Sequence, residues 1–212
     1  MDKNLKKANF MKLANTAAAL KNNGFDTEVF EDAAKAGKAV LKLIGKRRSI
    51  GMGGSITAET LGLSAALKKA GNEIITHAPG MNGSERIKIW LKAQAAEFYI
   101  ASPQAITVRG DLLFIDGNGN RAAAVIYGPR KVIVLAGVNK IVRDMDEGLW
   151  RIRNVAAIAN NIRLKKNNPC VKAGKCENCA SPERICNVVS ILLKKPRLTD
   201  YKVILVNEEL GY

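Results

Sequence analysis

Apolar positions follow two rhythms along this chain, and the switches between them predict its elements. Phe10, Leu13, Ala14, Ala17 and Leu20 recur at helical spacing and predict a helix over residues 3–22, with Asn23-Gly24 as its stop. Thr27 to Phe30 reads as a short strand. Ala33, Ala36, Val40, Leu43 and Ile44 then mark one face of a second helix, closed by Gly45. The alternation continues with a strand at Ser49–Met52, a helix over Leu63–Ala70 ending at Gly71, and a strand at Glu73–His77. A helix capped by Ser84 runs to Ala95, and Phe98–Ala101 is the next strand.

Beyond residue 104 the pattern changes. Leu112–Asp116 and Arg121–Tyr127 both read as β-like runs, separated by Gly117-Asn118-Gly119-Asn120, and that spacing predicts a hairpin. Lys131–Ala136 is a further apolar strand. Asp144 with Glu147 three residues on has the form of a capping box. It opens a long helix that turns Met145, Leu149, Ile152, Ala156, Ala159 and Ile162 inward. Residues 167–182 are irregular, and Lys202–Val206 is the last strand. Strands alternating with helices predict an α/β protein with a sheet covered on both faces, and the hairpin makes that sheet mixed. The reading is one domain over residues 1–212, with a cysteine-bearing segment at 168–187.

The 212 residues suffice for a substantial core without a disulfide framework. The formal charge of +15 raises a nucleic-acid reading. The basic residues are spread along the chain, however, and only 5% of residues are aromatic, so no stacking platform is interleaved with them. A solvated basic surface and a small anionic ligand fit better, and nucleic-acid binding ranks last among the alternatives. No apolar run is long enough to span a bilayer. The start, from Met1 to Lys7, leads directly into an amphipathic stretch, so the expectation is a cytoplasmic protein with no membrane partner.

The four cysteines, Cys170, Cys176, Cys179 and Cys186, share one short window in the order C-x5-C-x2-C-x6-C. Thiolates at such spacing suit a tetrahedral site, with zinc favoured and an iron–sulfur cluster as the alternative. Disulfides or free thiols stay open as simpler readings. A Cys176/Cys179 redox pair has little support, because no thioredoxin-like context surrounds it and Glu177 and Asn178 offer nothing to lower a thiol pKa. The segment is expected to be a local structural knot, apart from the ligand site.

The second candidate is the turn Gly51-Met52-Gly53-Gly54-Ser55-Ile56-Thr57. Glycines between a strand and a helix let amide groups approach an anion, and Ser55 and Thr57 add hydroxyls. Ile56 occupies the third glycine position of a dinucleotide fingerprint, and no Gly-Lys-Ser/Thr follows, so neither nucleotide motif is complete. A tight strand-to-helix turn is the competing structural reading. Asp111 and Asp116 flank a strand, and each serves a turn as readily as catalysis. His77, the lone histidine, sits at a strand end, where a structural role competes with a ligand-binding one.

Taken together, several stretches resemble the LUD-domain family, the lactate-utilisation protein B/C group. They are the Gly-Gly-Ser-Ile-Thr turn, Ala105–Arg121 with its Ile-Asp-Gly-Asn-Gly-Asn-Arg ending, Ile126–Val142, the cysteine segment from Pro169 to Cys186, and the final Val206–Tyr212. The resemblance implies the fold of the sugar-phosphate isomerase and CoA-transferase superfamily: a three-layer α/β/α sandwich with a mixed, mostly parallel sheet. It nominates Gly53, Gly54, Ser55, Thr57, Gln104, Thr107 and Asp111 as a ligand site, to which the turn itself adds Gly51. Position 104 is Gln where related sequences carry Asn. No glutamate matches the transferases' nucleophile, Glu97 being only a weak counterpart. Longer members of the family carry ferredoxin-type clusters. The implied function is an accessory or ligand-binding subunit in the oxidation of lactate to pyruvate, working beside iron–sulfur partner subunits. The alternative is an enzyme acting on a phosphorylated or CoA-linked small anion.

Overall fold

The computed structural model describes residues 2–212. The first half alternates as the apolar pattern predicts: α1 (Lys3–Asn22), β1 (Asp26–Phe30), α2 (Ala33–Ile44), β2 (Ser49–Met52), α3 (Ile56–Thr60), α4 (Leu63–Lys69), β3 (Glu73–Ile75), α5 (Gly83–Gln94) and β4 (Phe98–Ala101). The second half runs β5 (Ala105–Thr107), β6 (Leu112–Asp116), α6 (Asn120–Tyr127), β7 (Lys131–Gly137), β8 (Ile141–Val142), α7 (Met145–Arg151), α8 (Ala157–Arg163), α9 (Pro169–Ala173), β9 (Val188–Leu192) and β10 (Asp200–Val206). Side-chain caps set several starts. Asp2 accepts from the amides of Asn4 and Leu5. Asn82, rather than Ser84, forms a reciprocal capping box with Glu85.

The central sheet has the order β1-β10-β7-β4-β2-β3, and its strand pairs are parallel. Alternate residues leave opposite faces, as the two-residue repeat of a strand requires. Tyr99, Ala101, Val132, Val134, Val203 and Leu205 pack with Leu13 and Leu20 of α1, Ala93 of α5 and Val125 of α6. Their neighbours Phe98, Ile100, Ile133, Leu135, Ile204 and Val206 pack on the other side with Val40 of α2, Ala58 of α3 and Leu67 of α4. Three layers result. The near-continuous apolar run of β7 is what a strand buried on both faces needs.

A second, smaller sheet, in the order β8-β5-β6-β9, lies beyond the first. The antiparallel pairs expected within one mixed sheet occur here, between β5 and β6 and between β6 and β9. Leu112 and Phe114 face the α1 side, whereas Leu113 and Ile115 pack with Val142 and Ile152. β9 escaped the sequence reading because its five residues are half-exposed and carry no clean alternation.

The predicted hairpin at Gly117–Asn120 is not formed: Asn120–Tyr127 is a helix. Gly119 takes a left-handed conformation, with φ of 74°, and acts as the N-cap. The Asp116 carboxylate accepts from the Ala122 amide at 2.8 Å, satisfying one of the first-turn donors. Arg121 folds back to bond the same carboxylate at 2.9 Å. The turn glycines therefore launch a helix held by the residue that ends the strand, and Ala122, Ala123 and Ala124 favour that outcome. The long predicted helix is also divided. A π-helical turn, Ile152–Ala156, separates α7 from α8.

Candidate functional site

The strand order of the central sheet reverses between β2 and β4, and ligands of open α/β sheets bind beyond the carboxyl ends of strands at such a point. A pocket lies there. Gly54 to Thr57 follow β2, Ser102 and Gln104 follow β4, Lys140 follows β7, and Tyr212 follows β10; Arg121, Asn160 and Arg163 complete the polar wall. The space is about 60 Å³, room for roughly four waters at the volume one water centre needs. It suits a molecule of a few heavy atoms and is too small to enclose a nucleotide.

Lys140 is the central residue. It is 2% exposed, and its Nζ donates to Ser102 Oγ at 2.7 Å and to Thr57 Oγ1 at 3.0 Å. The hydroxyls form a closed set, since Ser102 Oγ donates to Thr57 Oγ1 at 3.1 Å and Thr57 Oγ1 donates to the Leu210 carbonyl at 3.2 Å. Burial pushes the Lys140 amine down to about 7, and the positive charges of Arg151 and Arg121 push the same way. Among the described residues no carboxylate forms an ion pair with Lys140, Arg151 or Arg163. Arg151 instead spends its donors on the carbonyls of Asn139 and Gln104. Arg163 bonds the Asn160 side-chain oxygen at 2.7 Å. Only Arg121 is neutralised, by Asp116.

The turn that carries Lys140 is pinned by the end of the chain. Asn139 Nδ2 donates to the Gly211 carbonyl at 2.9 Å, and its Oδ1 accepts from the Leu210 amide at 3.1 Å. Gly137 permits this approach, because a Cβ there would lie 2.4 Å from the Glu208 carbonyl oxygen. The segment after β10 thus brings Tyr212 to the pocket rim.

Of the residues nominated from sequence, Gly54, Ser55, Thr57 and Gln104 come together around this space. Ser55 Oγ caps α3 by accepting from the Ala58 amide, and Gln104 Oε1 accepts from the Ile115 amide, so both also hold the frame. Gly51 has a packing reason to be glycine: a Cβ would stand 2.3 Å from the Ala93 carbonyl oxygen of α5. Gly53 faces open space. Thr107 and Asp111 lie elsewhere. Thr107 Oγ1 donates to Asp111 Oδ2 at 2.6 Å across the β5–β6 turn, whose tip is bonded by Asn23 at the end of α1. Glu97 pairs with Arg48 at the opposite, amino ends of β2 and β4. His77 accepts from Trp90 Nε1 at 3.3 Å, and burial, then Arg86 and Arg163, lower its pKa.

Lys140, Ser102, Arg121, Arg163 and Tyr212 are not among the residues nominated from sequence. One signal was present. Lys140 is a lone lysine within the apolar stretch from Val132 to Val142, just past a strand's carboxyl end.

The four cysteines are free. Arg184 gathers the segment by donating to the carbonyls of Cys179, at 2.6 Å, and Cys186, at 3.3 Å, and Asn154 Oδ1 accepts from the Cys176 amide. Burial raises the Cys170 thiol, and the Cys179 and Cys186 thiols add to the effect, so the sulfurs share one neighbourhood. Four thiols are apt donors for zinc. Yet no three His, Cys, Asp or Glu side chains among the described residues converge at metal-holding geometry. Nor is the segment remote from the pocket: Ile185, between Arg184 and Cys186, forms part of its wall.

The LUD domain model matches residues 13–206. The chain belongs to the LUD-domain family. That family is associated with lactate utilisation. A solved DUF162 family protein from Deinococcus radiodurans is similar at 16% identity, with a TM-score of 0.55, over 93% of this chain and 98% of that one. At that identity the likeness shows the fold alone, and it spans both sheets of the LUD chain. Weaker likenesses cover about half of the chain. eIF2B beta from Chaetomium thermophilum matches at 16% identity and TM-score 0.39, over 54% of this chain and 44% of its own. eIF2B delta from the same organism matches at 19% and 0.35, over 51% and 48%. No curated protein matches the LUD chain. No helix among its described residues is long and apolar enough to cross a membrane.

Proposed function

We propose that this LUD domain binds a small organic anion, a carboxylate or phosphate of a few carbons, in the pocket around Lys140, and that it serves a lactate-utilisation system in doing so. The observation that carries this reading is positive charge without a counter-ion: Lys140 and Arg163 line the pocket, Arg151 lies close enough to Lys140 to lower its pKa, and none of the three has an ion-pair partner among the described residues. Lys140 and Arg151 are buried and Arg163 stands exposed at the rim; burying a cation without a counter-charge is costly, and an anion in the pocket would supply one. The pocket volume favours a three-carbon acid over a nucleotide or an enclosed acyl-CoA. Iron–sulfur partner subunits are the proposed companions, on the strength of the family resemblance.

Thermal unfolding in the presence of lactate, pyruvate, phosphate and acetyl-CoA tests the reading. A ligand at about one hundred times its Kd stabilises by about 2.7 kcal/mol. Stabilisation by a small acid, lost in Arg163→Ala, supports it. No shift with any of the four overturns it. Stabilisation by acetyl-CoA alone favours the second reading, an enzyme of CoA-linked anions.

We also infer a zinc ion at Cys170, Cys176, Cys179 and Cys186, with an iron–sulfur cluster as the alternative. The shared neighbourhood of the thiols and the Arg184 clasp support it. The sulfurs would need to turn inward to close the ligand set.

A further inference from the structure

We propose that Lys140 is a carbonyl-capturing amine, forming an imine with the keto group of a small 2-oxo acid held in this pocket. The inference rests on the anion-binding reading above and names the substrate class of the same site.

The geometry leaves the amine one free direction. A lysine nitrogen has three positions besides its own side chain. Two are taken by Ser102 Oγ and Thr57 Oγ1. The third has no protein partner among the described residues, and Lys140 lines the pocket. The hydroxyl set fixes the nitrogen further, because Thr57 directs its proton to the Leu210 carbonyl and Ser102 directs its own to Thr57. Both hydroxyls therefore act as acceptors toward Lys140, which leaves the nitrogen one valence without a protein partner among the described residues, in a residue that lines the pocket. With the amine's pKa lowered to about 7, a large fraction is neutral near pH 7, which nucleophilic attack requires. The residues beside it suit a carboxylate: Arg163 lines the same pocket, and the nearest atoms to a Cβ at Gly54 would be its guanidinium nitrogens, at 3.8 Å.

The step balances within this set. The Nζ lone pair forms a bond to the keto carbon, and the carbonyl π pair moves to oxygen. The two amine protons and that oxygen leave together as water, giving a C=N bond; no oxidant or reductant is consumed. Ser102 Oγ, in hydrogen-bond contact with Nζ, is placed to relay the protons. Gln104 and Arg121 close the pocket on the side of β4 and β6.

Reductive trapping of the full chain with pyruvate tests the proposal. Pyruvate is added near neutral pH, borohydride reduces any imine, and peptide mass mapping locates the product. The expected result is one N-(1-carboxyethyl)lysine, at Lys140, with the exposed lysines unlabelled and labelling lost in Lys140→Arg. Ser102→Ala, which keeps the amine, should label several-fold more slowly. The mapping uses the parent chain, so the result stands whether or not Lys140→Arg folds. Thermal stabilisation by pyruvate without an adduct on Lys140 overturns the imine and leaves the anion site intact. Labelling spread over surface lysines also overturns it. Neither stabilisation nor labelling by any small acid overturns both.

Discussion

Lys140 Nζ and Ser102 Oγ stand 2.7 Å apart, and this bond ties the turn after β7 to the turn after β4. Each residue follows a different parallel strand. They meet because those strands are neighbours in the sheet, paired from Phe98↔Lys131 to Ala101↔Val134. The pocket is thus built at the edge where parallel strands end together.

The buried amine predicts an unusual pH dependence. In the unfolded chain Lys140 titrates near 10.5, and in the folded chain near 7. Between these values the unfolded state holds a proton that the folded state lacks, so this group makes stability rise with pH across that window. Below about 7 the whole cost of a buried ammonium is present. Lys140→Met removes that cost, and Ser102 and Thr57 still bond each other. The variant's advantage over the parent should be largest below about 7 and shrink toward 10.5, by about 1.4 kcal/mol for each unit of pKa displacement removed. Urea unfolding at a series of pH values measures it; a constant gap would refute the burial argument.

Gly51 and Gly54 should respond differently to alanine. At Gly51 the added Cβ collides with the Ala93 carbonyl oxygen at 2.3 Å and with Tyr99 at 2.7 Å. Overpacking of that kind costs about 1–3 kcal/mol, so Gly51→Ala should lower the midpoint of chemical unfolding. At Gly54 the new methyl lies 3.8 Å from Arg163, an ordinary contact. Gly54→Ala should leave stability within about 0.5 kcal/mol.

Asp116 has two duties, capping α6 and pairing with Arg121. Both partners are largely buried, with side-chain exposures of 8% and 20%. Asp116→Ala removes the counter-charge of Arg121, which keeps only the carbonyls of Ile115 and Ser102, and leaves the Ala122 amide without its acceptor. The loss should be about 3 kcal/mol, at the level of a broken buried pair. Calorimetry measures it, and hydrogen exchange should show faster opening of Asn120–Tyr127 than of β7.

Zinc at the cysteine segment predicts one equivalent of metal in protein purified without chelator, read by elemental analysis. Cys176→Ser or Cys179→Ser should abolish it, since each removes a thiolate that a tetrahedral site requires. Ile185 forms part of the pocket wall, so metal removal should also weaken small-acid binding. Metal-free protein with full binding and an ordered segment would remove the case for zinc. An absorption band in the visible would point to iron and sulfur instead.

Much of the architecture was legible in the chain. The helical spacing of Leu13, Ala17 and Leu20 and the two-sided apolar run of β7 report burial directly, because a helix or strand exposes its faces by a fixed period. The stretch Gly117–Asn120 misled, since glycine and asparagine license a left-handed turn before a strand and before a helix alike. The outcome was decided by Asp116 and Arg121, whose carboxylate and guanidinium hold the first turn of a helix.

By itself, the sequence determined the alternation of elements, the family and the glycine turn after β2, for these rest on local spacing and on residue types a few positions apart. The tertiary structure alone decided the site. Thr57, Ser102, Lys140 and Leu210 lie far apart along the chain, and only the parallel order of the strands brings their atoms within hydrogen-bond reach. It also separated Thr107 and Asp111 from that site, by folding them into a turn against α1. The charge state of Lys140 was likewise beyond the sequence. A lysine's pKa is set by how much water and how many cations surround it, and both are properties of the packed chain.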